Sequence, residues 1–138
     1  KSILQAYNKS KFFHSFQDGL EDIYKKEWNS LFQLNLEIIN FFKAYFNIKK
    51  KLYISSELNL TGYGNEKLVN ICKYFDAKYF VVKKNTEDYH PKEYFNNYGI
   101  DFKYHENTHS EYKQMGNIFI PNLSILDYAA NNGNRLII

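Results

Sequence analysis

The amino-acid sequence predicts a small three-layer α/β domain with a short, mainly parallel sheet and a helix-rich N-terminal half. Apolar residues recur at helical spacing through residues 1–48, whereas strand-like and helical segments alternate through residues 49–138. The connections between these segments are short. Because a strand–helix–strand unit brings its two strands together in parallel, the second half predicts a parallel sheet covered by helices.

The N-terminal half contains three predicted helices. The first breaks near residues 8–10, and the second continues through Tyr24. The third begins after Asn29 or Ser30, since either residue can accept a hydrogen bond from the first helical turn. Its apolar side chains then recur every three or four positions over residues 31–45. This regular spacing predicts a helix with one face buried.

Strands and helices alternate in the second half. The predicted strands are residues 52–55, 78–82 and 100–104, with a small extended piece at 118–120. Residues 61–65 are predicted to form a turn that opens a helix running through Phe75. Two further helices are predicted, one from Pro91 to Gly99 and one that begins at Ser124 and ends near residues 131–133. We expect a single domain over residues 1–138, composed of a helical part, 1–48, and an alternating part, 49–138.

Composition excludes several functional classes. The net charge is +3, but only one of the 18 basic residues is arginine, Arg135, so sequence-specific nucleic-acid binding is not expected. The single cysteine, Cys72, allows no internal disulfide, and its place on an apolar helix face predicts core packing. No run of about 20 apolar residues and no signal-peptide pattern occur, which predicts a cytoplasmic protein. The sequence predicts no cofactor.

The loop after the first predicted strand is a candidate anion site. In parallel sheets, ligands bind beyond the carboxyl ends of the strands, so residues 55–64, 83–90 and 105–117 are expected on one side. Glycines before a helix let a ligand approach free backbone N–H groups. The candidate phosphate-binding residues are Ser55, Ser56, Thr61, Gly62, Gly64 and Asn65. The alternative is that the two glycines only make a turn.

Two histidines and one aspartate are candidate catalytic residues. His105 and His109 follow the third predicted strand, and imidazole suits acid–base chemistry because it titrates near neutral pH. The alternative is exposed surface; no metal site is predicted, because a third ligand is missing. Asp127 lies between apolar helix positions, where it either faces a ligand near Asn132 or interacts with the helix cap at Ser124.

Several segments, taken in order, resemble the WbqC-like family. They are Gln5-Ala6-Tyr7, Phe12-Phe13, Ser55-Ser56-Glu57-Leu58, Gly62-x-Gly64-x-Glu66-Lys67-Leu68-x-x-Ile71-Cys72, Ala77-Lys78-Tyr79, Tyr89 with Phe95, Tyr112-x-Gln114, and Phe119-x-Pro121-x-Leu123-Ser124-Ile125-x-Asp127 followed by Asn132-Gly133. The chain lacks the aromatic- and proline-rich opening segment of that family. We therefore expect the C-terminal portion of a longer protein.

The resemblance implies a bacterial protein of surface-polysaccharide (O-antigen) biosynthesis that transfers an acyl or aminoacyl (glycine) group to an amino sugar. Its expected partners are a nucleotide-linked sugar and an acyl or aminoacyl donor. In this hypothesis His105 or His109 is the base, the turn at Gly62 and Gly64 supplies N–H donors or holds phosphate, and Asp127 and Asn132 orient the sugar. The alternatives are a non-catalytic module that binds a sugar-nucleotide or a partner protein, and a nucleotidyl-transferring ancestry. Departures from the family pattern at Tyr63, Lys67, Asp76 and residues 81–85 weaken phosphate binding in the first two loops.

Overall fold

A computed structural model describes residues 2–84, 89–105 and 110–136. The chain forms two compact units. Unit 1 comprises Lys1–Lys50 and His109–Ile138, and unit 2 comprises Lys51–Thr108. Asp127 and Asn132 therefore belong to unit 1, whereas His105 and the glycine turn belong to unit 2. The prediction that residues 1–138 form one domain stays a prediction.

Unit 1 contains four α-helices in its described part. They are α1 (Ser2–Tyr7), α2 (Gln17–Lys25), α3 (Leu31–Tyr45) and α6 (Ile125–Asn132), with a short 3-10 helix at Phe13–Ser15. The predicted start of α3 is confirmed, since the Ser30 side chain accepts a hydrogen bond from the Gln33 backbone N–H. Across residues 2–84, 89–105 and 110–136, no helix combines the length and hydropathy needed to cross a membrane.

The core of unit 1 is largely aromatic. The segment after α1 buries Phe13 and Phe16, and Phe16 meets Phe42 of α3 nearly edge to face, with ring centroids 5.9 Å apart. The fully buried Ala129 and Ala130 of α6 complete this core. Their small side chains allow the segment after α1 to approach α6 closely, and the Phe12 N–H donates a hydrogen bond to the Ala130 carbonyl at 2.9 Å. The turn after α1 is thereby fixed against α6.

Unit 2 contains a two-stranded parallel sheet in its described part. Strand β1 (Tyr79–Lys83) follows α4 (Gly64–Tyr74), and α5 (Lys92–Asn96) connects β1 to β2 (Asp101–His105). Tyr79 pairs with Asp101 and Lys83 with His105, so the two strands end together. The core contains Val69 and Cys72 of α4, Phe95 of α5 and Ile100. The predicted α/β class with a short parallel sheet is confirmed.

One predicted strand, residues 52–55, is wrong. Leu52 and Tyr53 are exposed and lie outside the sheet, and the Tyr53 ring packs on Phe75 with 4.6 Å between ring centroids. The small extended piece expected at residues 118–120 does not belong to the sheet of β1 and β2. The Gln114 side chain holds both backbone groups of Ile120, accepting from its N–H at 2.8 Å and donating to its carbonyl at 3.0 Å. Favourable β composition did not produce pairing where tertiary contacts supplied other partners.

Candidate functional site

The predicted site residues fall into two groups. His105 and the six candidate phosphate-binding residues, from Ser55 to Asn65, lie in unit 2. Asp127 and Asn132 lie in unit 1. His109 lies outside the described residues, so the structure does not bear on its predicted role.

The carboxyl ends of β1 and β2 lie side by side. The Lys84 N–H donates to the carbonyl of His105, 3.3 Å away, immediately beyond the paired strands. His105 is exposed as the last residue of β2. The parallel arrangement on which the sequence argument depends is therefore present for these two strands.

Asn65, at the start of α4, contacts the loop after β1. Its side-chain amide donates to the Tyr89 carbonyl at 3.1 Å, and its amide oxygen lies 2.9 Å from Nδ1 of His90. Because that oxygen only accepts, Nδ1 of His90 carries the proton and Nε2 is left as the acceptor in the neutral ring. The ring also packs edge-on against Phe80, 5.6 Å between centroids. Asn65 and Phe80 thus fix the orientation of the His90 ring.

The two glycines adopt backbone conformations that suit glycine. Gly62 and Gly64 have φ values of +94° and +53°. A side chain at Gly62 would meet the carboxyl group of Glu66 at 3.0 Å. An acidic group therefore lies over the turn, where it would repel an incoming anion. Ser55, Ser56 and Thr61 are exposed, and the Thr61 carbonyl accepts from Asn70. Phosphate binding at this turn stays a prediction.

Asp127 is the centre of a hydrogen-bonded cluster in unit 1. Only 5% of the residue is exposed, which is rare for an aspartate without partners. Its Oδ2 accepts from the Tyr112 hydroxyl at 2.7 Å and from Nε2 of Gln114 at 3.1 Å. Nδ2 of Asn131 donates to Oδ1 at 3.3 Å and to the Asp127 carbonyl at 2.9 Å. The carboxylate is thus directed into a polar cluster rather than toward the cap at Ser124, whose side chain makes no capping hydrogen bond.

Tyr7, from α1, also faces this carboxylate. Burial raises the pKa of Tyr7, and the charge and hydrogen bonding of Asp127 raise that pKa further. The pKa of Tyr112 is raised chiefly by burial and then by its hydrogen bond to Asp127, while Gln114 acts in the opposite direction. Both phenols therefore stay protonated near neutral pH. Both thus face the buried carboxylate of Asp127 as neutral hydroxyl groups.

Sequence reasoning selected Asp127 but missed most of its partners. It favoured Asn132, yet Nδ2 of Asn132 donates to the Tyr128 carbonyl, and the neighbouring Asn131 bonds the carboxylate. The available signal was the ordered resemblance, because Gln5-Ala6-Tyr7, Tyr112-x-Gln114 and the segment ending at Asp127 all contribute to this one cluster. No local spacing connects them. In the part of the chain that the structure describes, no three histidine, cysteine or acidic side chains are grouped to hold a metal.

The fold and this cluster define a small α/β protein with a buried, multiply hydrogen-bonded carboxylate. The chain belongs to the WbqC-like protein family, whose sequence model matches residues 1–137. It is also 28% identical over 129 residues to the uncharacterised protein Rv1507c of Mycobacterium tuberculosis. That match covers 92% of this chain and 56% of the relative, so the chain spans about half the relative's length. No solved structure matches the chain.

Proposed function

We propose that this WbqC-like protein transfers an acyl or aminoacyl group to the amine of a nucleotide-linked amino sugar in bacterial surface-polysaccharide biosynthesis. Membership of the family supports the pathway, and the buried carboxylate of Asp127 supports the chemistry. The observation that carries the proposal is the convergence of Tyr7, Tyr112 and Gln114 on this one carboxylate from separate segments of the chain. A buried charge needs such partners, and titratable groups held in this way are typical of functional sites.

The geometry suggests a route for the proton that amide formation releases. The Tyr112 hydroxyl donates its hydrogen to Asp127, which leaves the phenolic oxygen as an acceptor for an incoming N–H group. As the amine nitrogen bonds to the acyl carbon, its proton passes to the Tyr112 oxygen and the Tyr112 proton passes to Asp127. The bond from the acyl carbon to the leaving group then breaks, and the leaving group takes that proton. Asp127 acts as the general base through Tyr112.

This route assigns the base to unit 1. The sequence favoured His105 or His109 for the base, and those roles remain predictions. His105 belongs to unit 2, together with the turn at Gly62 and Gly64. The carboxylate of Asp127, by contrast, has a defined donor at 2.7 Å in Tyr112. The cytoplasmic location is part of the proposal, since nucleotide-linked sugars are its substrates.

A non-catalytic sugar-nucleotide-binding module is the second candidate. It is favoured because the side chains of the cluster make their hydrogen bonds within the protein. The side-chain amides of Gln114 and Asn131 each donate to two acceptors of the protein. Such a network is also what a rigid binding wall requires. Binding of a nucleotide-linked amino sugar without turnover, with every donor tried, would favour this candidate over the transferase.

The test is a turnover assay on the wild-type chain and on Asp127→Asn. The assay follows the amide product by mass spectrometry, with acyl-thioester and aminoacyl donors and a nucleotide-linked sugar bearing a free amine. Loss of the base is expected to lower kcat by at least about 100-fold. Asp18→Asn, an exposed acid in the first turn of α2, is the matched control and should keep full activity. Equal turnover by Asp127→Asn would refute the catalytic role.

A further inference from the structure

A cavity of about 460 Å³ lies beside the Asp127 cluster in unit 1. This volume is within the usual range for small-ligand sites. Its walls include residues from three segments, namely Lys9, Ser10, Lys11, Lys113, Gln114 and Asn131. Gln114 and Asn131 also bond Asp127, so the cavity and the carboxylate share a wall. The three lysines add positive charge to this wall, which the cluster around Asp127 lacks.

Ser10 carries a buried hydroxyl without a partner. The residue is only 4% exposed, and its Oγ has no hydrogen-bond partner among the described residues. Its backbone, in contrast, is held: the Ser10 N–H donates to the Tyr7 carbonyl at 2.9 Å, and the next turn is tied to α6 through Phe12. Buried hydroxyls are nearly always satisfied, because an unpaired one costs stability. Ser10 lines the cavity, but its Oγ is itself inaccessible to solvent, so the side chain must rotate toward a ligand to gain the missing partner.

The three lysines make the cavity strongly cationic. Lys9, Lys11 and Lys113 are exposed, and none of them forms a salt bridge within the described ranges. The ammonium group of Lys11 also lies over the Phe12 ring, 5.0 Å from its centroid. No acidic residue is among the described residues that line the cavity, and the carboxylate of Asp127, which contacts two of them, already accepts hydrogen bonds within the protein. The charged groups of these lining residues are therefore all positive.

The amides of the wall bind the protein rather than a ligand. The two hydrogens of the Gln114 amide go to Ile120 and Asp127, and those of Asn131 both go to Asp127. An amide nitrogen has only two hydrogens to donate. The side-chain donors left for a ligand are therefore the lysine ammonium groups and the hydroxyl of Ser10. This set suits a ligand that carries several acceptor oxygens and more than one negative charge.

We propose that this cavity binds the phosphate groups of a phosphorylated ligand. Lys9, Lys11 and Lys113 neutralise the charge, and Ser10 donates to a phosphate oxygen; lysine is a common phosphate ligand for this reason. The choice of a sugar diphosphate as the natural ligand rests on the proposed function, since a nucleotide-linked sugar carries one. In this proposal the phosphate groups bind at the cavity and not at the turn at Gly62, over which the carboxyl group of Glu66 lies.

The first test is calorimetric titration of the full chain with inorganic pyrophosphate in low salt. Lys9→Ala and Lys113→Ala are each expected to weaken Kd about five- to tenfold, the loss of one charge-assisted contact. Lys49→Ala, which removes an exposed lysine of unit 1 that does not line the cavity, should change Kd less than about twofold. Absence of heat with both pyrophosphate and UDP, or equal effects of all three substitutions, would overturn the proposal.

Ser10→Ala gives the second test, because its two expected effects have opposite signs. The substitution should weaken pyrophosphate binding about fivefold and raise Tm of the free protein, since it removes an unpaired buried hydroxyl. Ser15→Ala is the control: the Ser15 hydroxyl already donates to the Phe12 carbonyl at 2.6 Å and lies 2.9 Å from the Tyr45 hydroxyl. This variant should lower Tm and leave binding unchanged. A lower Tm for Ser10→Ala would show that its hydroxyl is satisfied without a ligand and would overturn its role.

Two further arms identify the anion and separate the two proposals. Citrate tests for a general anion site, and equal affinity for citrate and pyrophosphate would overturn phosphate recognition. UDP distinguishes a nucleotide diphosphate from the inorganic ion, and tighter binding of UDP would support the sugar diphosphate. Pyrophosphate binding without any amide product would refute the transferase and leave this inference standing. Full turnover by Lys113→Ala, with no competition by pyrophosphate, would refute this inference alone.

Discussion

Tyr112→Phe should destabilise unit 1 because it removes the shortest hydrogen bond to the buried carboxylate. The bond joins the Tyr112 hydroxyl to Asp127 Oδ2 at 2.7 Å, and a hydrogen bond to a charged group contributes about 1.5–3 kcal/mol. Two features reduce the cost: Tyr112 is half-buried, and Gln114 still donates to the same oxygen. We expect a decrease in the free energy of unfolding of about 1.5 kcal/mol, the low end of that range.

Tyr128→Phe provides the comparison within the same unit. The Tyr128 hydroxyl donates to the Arg135 carbonyl at 2.8 Å, an exposed and uncharged acceptor. Losing that bond should cost about 0.5 kcal/mol, since neutral hydrogen bonds contribute less. The Tyr112 and Tyr128 rings lie 5.0 Å apart, so the two substitutions alter neighbouring positions in the same packing environment. The comparison sets the loss of a bond to a buried carboxylate against the loss of a bond to an exposed backbone carbonyl.

The assay is urea unfolding followed by the fluorescence of Trp28, the single tryptophan of the chain. Trp28 lies in unit 1 and donates from its indole nitrogen to the Ile23 carbonyl at 2.8 Å. Its signal therefore reports the unit that contains Asp127. A loss for Tyr112→Phe that is equal to or smaller than the loss for Tyr128→Phe would refute the charged network.

Three further predictions follow from the burial and geometry of single residues. Because Tyr7 and Tyr112 have raised pKa values, the native state holds their protons more tightly than the unfolded state does. This stabilisation is complete below pH 10 and is lost as pH rises through the native pKa values. Tm should therefore fall above pH 10, and it should fall less steeply for the double variant with phenylalanine at both positions. Gly133→Ala should lower the free energy of unfolding by about 2 kcal/mol in urea titrations, since φ is +74° and a Cβ would lie 3.1 Å from the Phe12 ring; no loss would contradict this geometry. Burial raises the pKa of the Cys72 thiol, so a disulfide reagent should label it much faster in urea than in the native protein, and equal rates would show that it is exposed.

Elements with strong local signals could be predicted from the sequence. Helix α3 has regular apolar spacing and a capping serine at Ser30, and both its ends are close to the prediction. Strand β1 has the richest β composition of the chain, and its pairing with β2 follows from the helix between them. The strand expected at residues 52–55 is absent: Leu52 and Tyr53 remain exposed, and β composition alone does not supply a pairing partner.

The site was only partly visible in the sequence. Asp127 stood out because a charged residue lay between apolar helix positions, which is a local signal. Its partners Tyr7 and Tyr112 are 120 and 15 positions away, and no periodicity brings such residues together. The unpaired hydroxyl of Ser10 is a tertiary property in the same sense, since burial without a partner is defined by what surrounds the side chain. Both the partners of Asp127 and the burial of the Ser10 hydroxyl result from contacts between residues that are distant in the sequence.

The most direct test of the central claim, that the ligand site is at Asp127 in unit 1, is a nuclear magnetic resonance titration. A UDP-linked sugar with a free amine is added to the isotopically labelled chain, and the side-chain amide signals of Gln114 and Asn131 are followed. We predict that both signals shift in a saturable manner, while the backbone signals of Gly62 and Gly64 stay in place. Saturable shifts at the two glycines with none at Gln114 and Asn131 would contradict the account.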